Sequence, residues 1–141
     1  MREILLAEDN PADVYLIREA LRENGVECEL RVADDGQQVM RILSGADSDP
    51  SVARPSLIIL DLNLPRHDGI EILQYLHERV TLRHIPVVVF TSSDSPRDRL
   101  AATQLGVARF LRKPSNLEQF LGLGAVFKEL MDETAANAKA V

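Results

Sequence analysis

Short apolar runs rich in β-branched residues alternate with amphipathic helical patterns five times along the chain. Ile4-Leu5-Leu6-Ala7 is the first run, and Glu8-Asp9 stops it. Asn10-Pro11-Ala12-Asp13 then opens a helix, with Asn as cap, proline at the first position and an acid in the first turn. Val14, Ile17 and Leu21 recur at helical spacing, and Gly25 closes the element. From Cys28 to Ala33 the pattern alternates, Cys28, Leu30 and Val32 against Glu29 and Arg31. Such a strand has one wet face and belongs at a sheet edge. A helix is predicted from Gly36 to Ser44, with Val39, Ile42 and Leu43 inward. The segment Gly45 to Pro55, with its paired prolines, serines and aspartates, reads as a surface loop.

Leu57-Ile58-Ile59-Leu60 is apolar throughout, as a central parallel strand is, and it ends on Asp61. A helix is predicted from Gly69 to Arg79. Pro86-Val87-Val88-Val89-Phe90 is a second central strand, ending on Thr91. Ser95-Pro96-Arg97-Asp98 repeats the cap, proline and acid signature, and that helix should run to Leu105. Val107 to Leu111 is the fifth strand, and Ser115-Asn116-Leu117-Glu118 reads as a capping box opening the last helix. Five βα units with continuous apolar strands predict an α/β fold, a doubly wound five-stranded parallel sheet. Right-handed crossovers and an alternating second strand select the order 2-1-3-4-5. One domain over residues 1–132 is expected, with residues 133–141 a frayed tail.

Composition narrows the setting. A chain of 141 residues can bury one core. The net charge of −6 argues against a nucleic-acid binder, which needs a basic stripe. The single cysteine, Cys28, excludes an intrachain disulfide and suits a reducing, cytoplasmic location. No apolar run approaches the ~20 residues of a membrane helix, and the N-terminal apolar stretch is too short for a secretory signal. His67, His77 and His84 are scattered and read as surface residues.

In a doubly wound sheet, ligands sit outside the carboxyl ends of the strands at the switch in strand order. The residues there are Glu8 and Asp9 after the first strand, Asp61 after the third, Thr91-Ser92 after the fourth and Lys113 after the fifth. Singly, each has an ordinary structural explanation as a cap, a turn residue or a solvated lysine. Together, carboxylates crowded at one rim repel one another unless a cation joins them. Oxygen-only ligands without a His or Cys cluster select Mg2+, with Mn2+ able to take its place. A carboxylate can attack a phosphoryl group to form an acyl phosphate. Such transfer depends on positioning and charge neutralisation, which a metal, a lysine and a hydroxyl supply.

With these residues in view, the chain resembles a response-regulator receiver domain of the CheY-like family over nearly its whole length. The resemblance rests on Glu8-Asp9, on Asp61-Leu62-Asn63-Leu64-Pro65-Arg66-His67-Asp68-Gly69, on Thr91-Ser92 and on Lys113-Pro114. It implies a phosphoacceptor at Asp61 and metal ligation by Asp9, Asp61 and the backbone carbonyl of Asn63. Glu8 would orient a metal-bound water, Lys113 would pair with the phosphoryl group, and Thr91 would be the switch hydroxyl. It further implies a cis peptide between Lys113 and Pro114. Two departures stand out: Glu8 occupies a position often held by Asp, and the aromatic switch position is Phe110, which lacks a phenol. The insertion from Gly45 to Pro55, with Arg83 to Val89 and Lys113 to Leu117, resembles single-domain regulators paired with phytochrome-type histidine kinases. The function implied is that of a response regulator without an output domain, phosphorylated by such a kinase and not itself an enzyme.

Competing readings are an aspartyl-phosphate hydrolase of the haloacid-dehalogenase type, a flavodoxin-like carrier and an unphosphorylated pseudo-receiver. The first wants an Asp two residues after its nucleophile, where this chain has Asn63. The second wants a hydroxyl- and glycine-rich loop where Glu8-Asp9-Asn10-Pro11 stands. The third is opposed by the intact acid set and Lys113. Finally, Leu117, Phe120 and Leu121 form one apolar stripe on the last helix, and Leu123, Val126, Phe127 and Leu130 form another. A helix covering a sheet needs one stripe, so the second predicts a symmetric homodimer formed with the fifth strand and fourth helix, Gly122 and Gly124 allowing close packing. The alternative is a broad core-facing surface with a few exposed leucines.

Overall fold

The first and third apolar runs are uninterrupted because both faces of the sheet that they enter are covered. The structure, a computed structural model, describes residues 2–93 and 95–139, the side chains of 134–139 excepted. Its elements are β1 (Arg2–Ala7), α1 (Pro11–Glu23), β2 (Cys28–Ala33), α2 (Gly36–Ser48), β3 (Leu57–Leu60), α3 (Gly69–Glu78), β4 (Val87–Thr91), α4 (Pro96–Gln104), β5 (Arg109–Arg112) and α5 (Leu117–Lys139). The five strands form one parallel sheet in the order β2-β1-β3-β4-β5, as expected.

Alternate residues of each strand feed two cores. Leu5, Ala7, Ile58, Leu60 and Val89 face α2, α3 and α4, meeting Val39, Leu43, Ile72, Leu76 and Ala102. Ile4, Leu6, Ile59, Val88 and Phe90 face α1 and α5, meeting Ile17, Leu21, Phe120, Phe127 and Met131. The β2 strand is at the edge, with Cys28 and Leu30 half-buried, Glu29 and Arg31 exposed, and Val32 more exposed than its alternation predicts.

Several boundaries move for local reasons. Helix α2 runs one turn beyond Ser44, because Ala46 is buried in the core and the Asp49 N–H donates to the Gly45 carbonyl. The rest of the insertion is tied down by Arg54, whose guanidinium donates to the carbonyls of Ala46 at 2.8 Å and Thr81 at 3.1 Å. Strand β5 starts at Arg109 because the Val107 N–H still closes α4 on the Ala102 carbonyl. The last helix is capped by Asn116, not Ser115: Asn116 Oδ1 accepts from the Gln119 N–H at 3.1 Å. That helix continues to Lys139.

The second stripe of α5 needs a correction. Phe127 is fully buried, and its ring and that of Phe120 both meet Phe90 edge-on, with centroids 6.4 and 5.3 Å away. Leu123 and Leu130 pack against the same core, whereas Leu117, assigned to the sheet-facing stripe, is exposed. Helix α5 is apolar on two sides because it lies against both the sheet and α1. Gly124 marks that second contact: a Cβ there would come within 2.1 Å of the Ala20 carbonyl oxygen. Asn24 bridges the two helices, donating to the carbonyls of Ala20 at 2.8 Å and Leu121 at 3.2 Å. Phe127, Leu123 and Leu130 are therefore used within the chain, while half-buried Val126 belongs to neither core.

Candidate functional site

Parallel registry brings the strand ends to one rim. Ala7 is level with Leu60 and Leu60 with Val89, so the residues that follow emerge side by side. The backbone ladder extends into the rim: Glu8 N–H donates to Ala33 O, Asp61 N–H to Ala7 O and Lys113 N–H to Thr91 O, at 3.0, 3.0 and 2.8 Å. Glu8, Asp61 and Thr91 are the buried polar side chains among the described residues, Glu8 at 1% and Asp61 at 5% exposure. Asp9 is exposed beside them.

The Lys113 ammonium occupies the centre. Nζ lies 2.7 Å from Glu8 Oε1, 2.8 Å from Asp13 Oδ2 and 2.9 Å from Asp61 Oδ2. The other oxygen of Asp61, Oδ1, accepts the Asn63 N–H at 3.0 Å, and Glu8 Oε2 accepts the Asn10 N–H at 3.2 Å. Thr91 Oγ1 accepts from the Asn63 side-chain amide and from the Ser93 N–H, each at 3.2 Å. The loop after β3 is thus fixed at both ends of its first turn, and buried Leu62 and Leu64 anchor it below. Gly69 is required there, since a Cβ would come within 2.6 Å of Leu62 Cα.

Burial pushes the Glu8 carboxyl up to about 7, with Lys113 opposing the shift and Asp61 adding to it. For Lys113, burial disfavours the charge. Its contacts with Asp13, Glu8 and Asp61 outweigh that, holding its pKa above the ordinary lysine value. The ammonium therefore stays charged and partly offsets the like-charge repulsion of the acids.

A dication fits this donor set. One carboxylate oxygen from each of Glu8, Asp9 and Asp61 lies within 4.8 Å of the others. All are hard oxygen donors, suited to Mg2+ or Mn2+. Glu8 Oε1 is buried and makes no hydrogen bond, keeping only its ionic contact with the lysine.

The sequence thus locates Glu8, Asp9, Asp61, Asn63, Thr91 and Lys113, and the fold brings all six together. Phe110 lies apart on β5, half-buried against the first core with the Arg99 guanidinium 4.7 Å above its ring. The cis peptide is not found: the Lys113–Pro114 bond is trans, and no cis bond occurs among the described residues. The trans preference of such a bond is only about 0.5–1 kcal/mol, and from the trans form Nζ already reaches Asp61. Asp13 escaped the sequence reading, which took it only as a first-turn acid of α1. The available signal was its place in the first turn of a helix that starts at the same rim, four residues after Asp9.

Comparison with known proteins agrees with this geometry. The family model described as the response regulator receiver domain matches residues 4–123. Response regulator Rcp1 of Synechocystis is 40% identical over 115 residues, covering 82% of this chain and 78% of that protein. The crystal structure of an Mn(2+)-bound response regulator Rcp1 superposes with a TM-score of 0.81 at 36% identity, over 91% of this chain and 92% of that one. The phosphorylated cyanobacterial phytochrome response regulator RcpA gives 0.83 at 37% identity, over 94% and 95%. Against the mycobacterial response regulators MprA, the chain spans about half of their length, 56% for that of Mycobacterium bovis. The site and these likenesses converge: the chain belongs to the response regulator receiver domain family.

Proposed function

We propose that the protein is a two-component switch that takes a phosphoryl group on Asp61 from a phosphohistidine of a sensor kinase. The observation that carries this reading is the buried Asp61 carboxylate with an ammonium 2.9 Å away and two further acids beside it. An Asp61 oxygen attacks phosphorus, the P–N bond breaks, and the histidine nitrogen keeps the electron pair. Lys113 follows the charge onto a phosphoryl oxygen, and the Thr91 hydroxyl rotates to donate to another. The Asn63 N–H orients the attacking carboxylate.

Asp9, Asp61 and the Asn63 carbonyl would hold Mg2+, with Glu8 acting through water. When bound, that ion neutralises charge on the phosphoryl oxygens. Thr91 and Phe110 would carry the change to a protein-interaction surface. Later loss of the group to water would reset the switch. The phytochrome-associated description of RcpA supports a photoreceptor-type kinase as donor, and the single free cysteine suits the cytoplasm. No helix among the described residues is long and apolar enough to cross a membrane. The homodimer expected through α5 is not part of this reading, because Phe127 is buried and Leu123 and Leu130 pack on the second core, leaving Val126 alone of that stripe outside it.

The test is intact mass after incubation with a small acyl-phosphate donor. One phosphoryl adduct that depends on Mg2+ and disappears with chelator is expected. A pseudo-receiver would stay unmodified.

A further inference from the structure

In the structure Lys113 is shared among three carboxylates, and one of them, Asp13, lies outside the group that can hold a dication. Glu8 and Asp61 belong to both sets. They cannot turn to a metal without giving up some of their contact with the ammonium. The Lys113 side chain is only 13% exposed, so its ammonium, once displaced, is held best where an anion already faces it. Asp13, on the first turn of α1 and 17% exposed, is the remaining anion in reach, at 2.8 Å. Pro11 at the first helical position and the Asn10 cap, whose Oδ1 accepts the Ala12 N–H at 3.0 Å, hold this turn in place.

Resting on the phosphoacceptor reading above, we propose that Asp13 is a positioning residue that holds Lys113 at the rim while Glu8 and Asp61 serve a dication. It touches neither the metal set nor the reacting atoms, and acts only through the lysine. Without Asp13, Lys113 remains on Glu8 and Asp61 and competes with the dication. Metal binding then costs more. The phosphorylated state also loses the tether that keeps the ammonium near the new phosphoryl oxygens.

The experiment is a Mg2+ titration by calorimetry on the full chain, comparing wild type, Asp13→Asn, Asp13→Glu, Lys113→Met and the double variant Asp13→Asn/Lys113→Met. Asp13→Asn is expected to weaken Mg2+ binding by about tenfold, roughly the value of one hydrogen bond to a charged group. Asp13→Glu should recover part of that loss. In the Lys113→Met background the same Asp13→Asn change should alter affinity less than twofold. Equal losses in both backgrounds would mean that Asp13 attracts the ion through space, and would overturn the proposal, as would a silent Asp13→Asn. Phosphoryl uptake by the wild type separates the two levels. Uptake with a silent Asp13→Asn removes only the positioning role, whereas a wild type that binds no Mg2+ and takes no phosphoryl group removes both readings.

Discussion

Replacing Lys113 by Met isolates the electrostatics of the site, because it keeps the length of the stem and removes the charge. In the folded protein the ammonium contacts three carboxylates at 2.7–2.9 Å, two of them on residues almost fully buried. Stripping the partner from a buried ion pair costs about 3–5 kcal/mol. Two features pull the figure to the lower end. Glu8 already titrates near 7, so without the lysine it takes up a proton and sheds its charge. Asp13 is near enough to solvent to regain hydration. A loss of about 3 kcal/mol in chelator, or a melting temperature lower by about 10 °C for a domain of this size, is the expected result. Added Mg2+ should reverse the order of benefit. Three carboxylates without a competing cation bind the ion more tightly, so its stabilisation is larger in the variant than in wild type. Thermal unfolding with and without Mg2+ reads both effects. Equal melting in chelator, or a smaller Mg2+ upshift in Lys113→Met, would refute the view that the lysine and the metal compete for the same acids.

Other outcomes follow from the same geometry. Glu8 has a folded pKa of about 7 against an ordinary 4.5, so the folded state binds the extra proton. Its contribution to metal-free stability is present below about 4.5 and is lost as pH rises through about 7, a total of about 3 kcal/mol. Unfolding of Glu8→Gln in chelator should lack that slope, and a slope unchanged from wild type would contradict it. Asp9→Asn should weaken Mg2+ binding in calorimetry with little change in metal-free melting, since Asp9 is exposed. Gly124→Ala should destabilise by about 1–3 kcal/mol, because the new methyl meets the Ala20 carbonyl. Gly122→Ala, with nothing within 4 Å of the added Cβ, should stabilise by up to about 1 kcal/mol. Similar melting of the two alanine variants would count against the α1–α5 contact.

The sheet order and the rim were legible in the sequence because they depend on local pattern. Apolar runs such as Leu57 to Leu60 admit only a strand covered on both faces, and each run stops at the residue whose chemistry matters. What escaped the sequence depends on contacts between distant segments. The pattern of α5 reports that Phe127 and Leu123 are apolar, but not that α1 stands beside them with the Ala20 carbonyl against Gly124. Asp13 looks like any first-turn acid until Lys113, 100 residues later, is found between it and Asp61. Ala46 extends α2 for a similar reason, a tertiary burial that outweighs the loop-like composition around it.

The claim that Asp61 is the phosphoacceptor is tested most directly by locating the adduct. The protein is phosphorylated with a small acyl-phosphate donor and Mg2+, reduced with borohydride, digested and mapped by mass spectrometry. Borohydride converts an aspartyl phosphate to homoserine, so the peptide containing Asp61 should carry that change at Asp61 alone, and the Asp61→Asn protein should carry none. Reduction at another acid such as Asp9 or Asp13, or an equal yield from Asp61→Asn, would contradict the assignment.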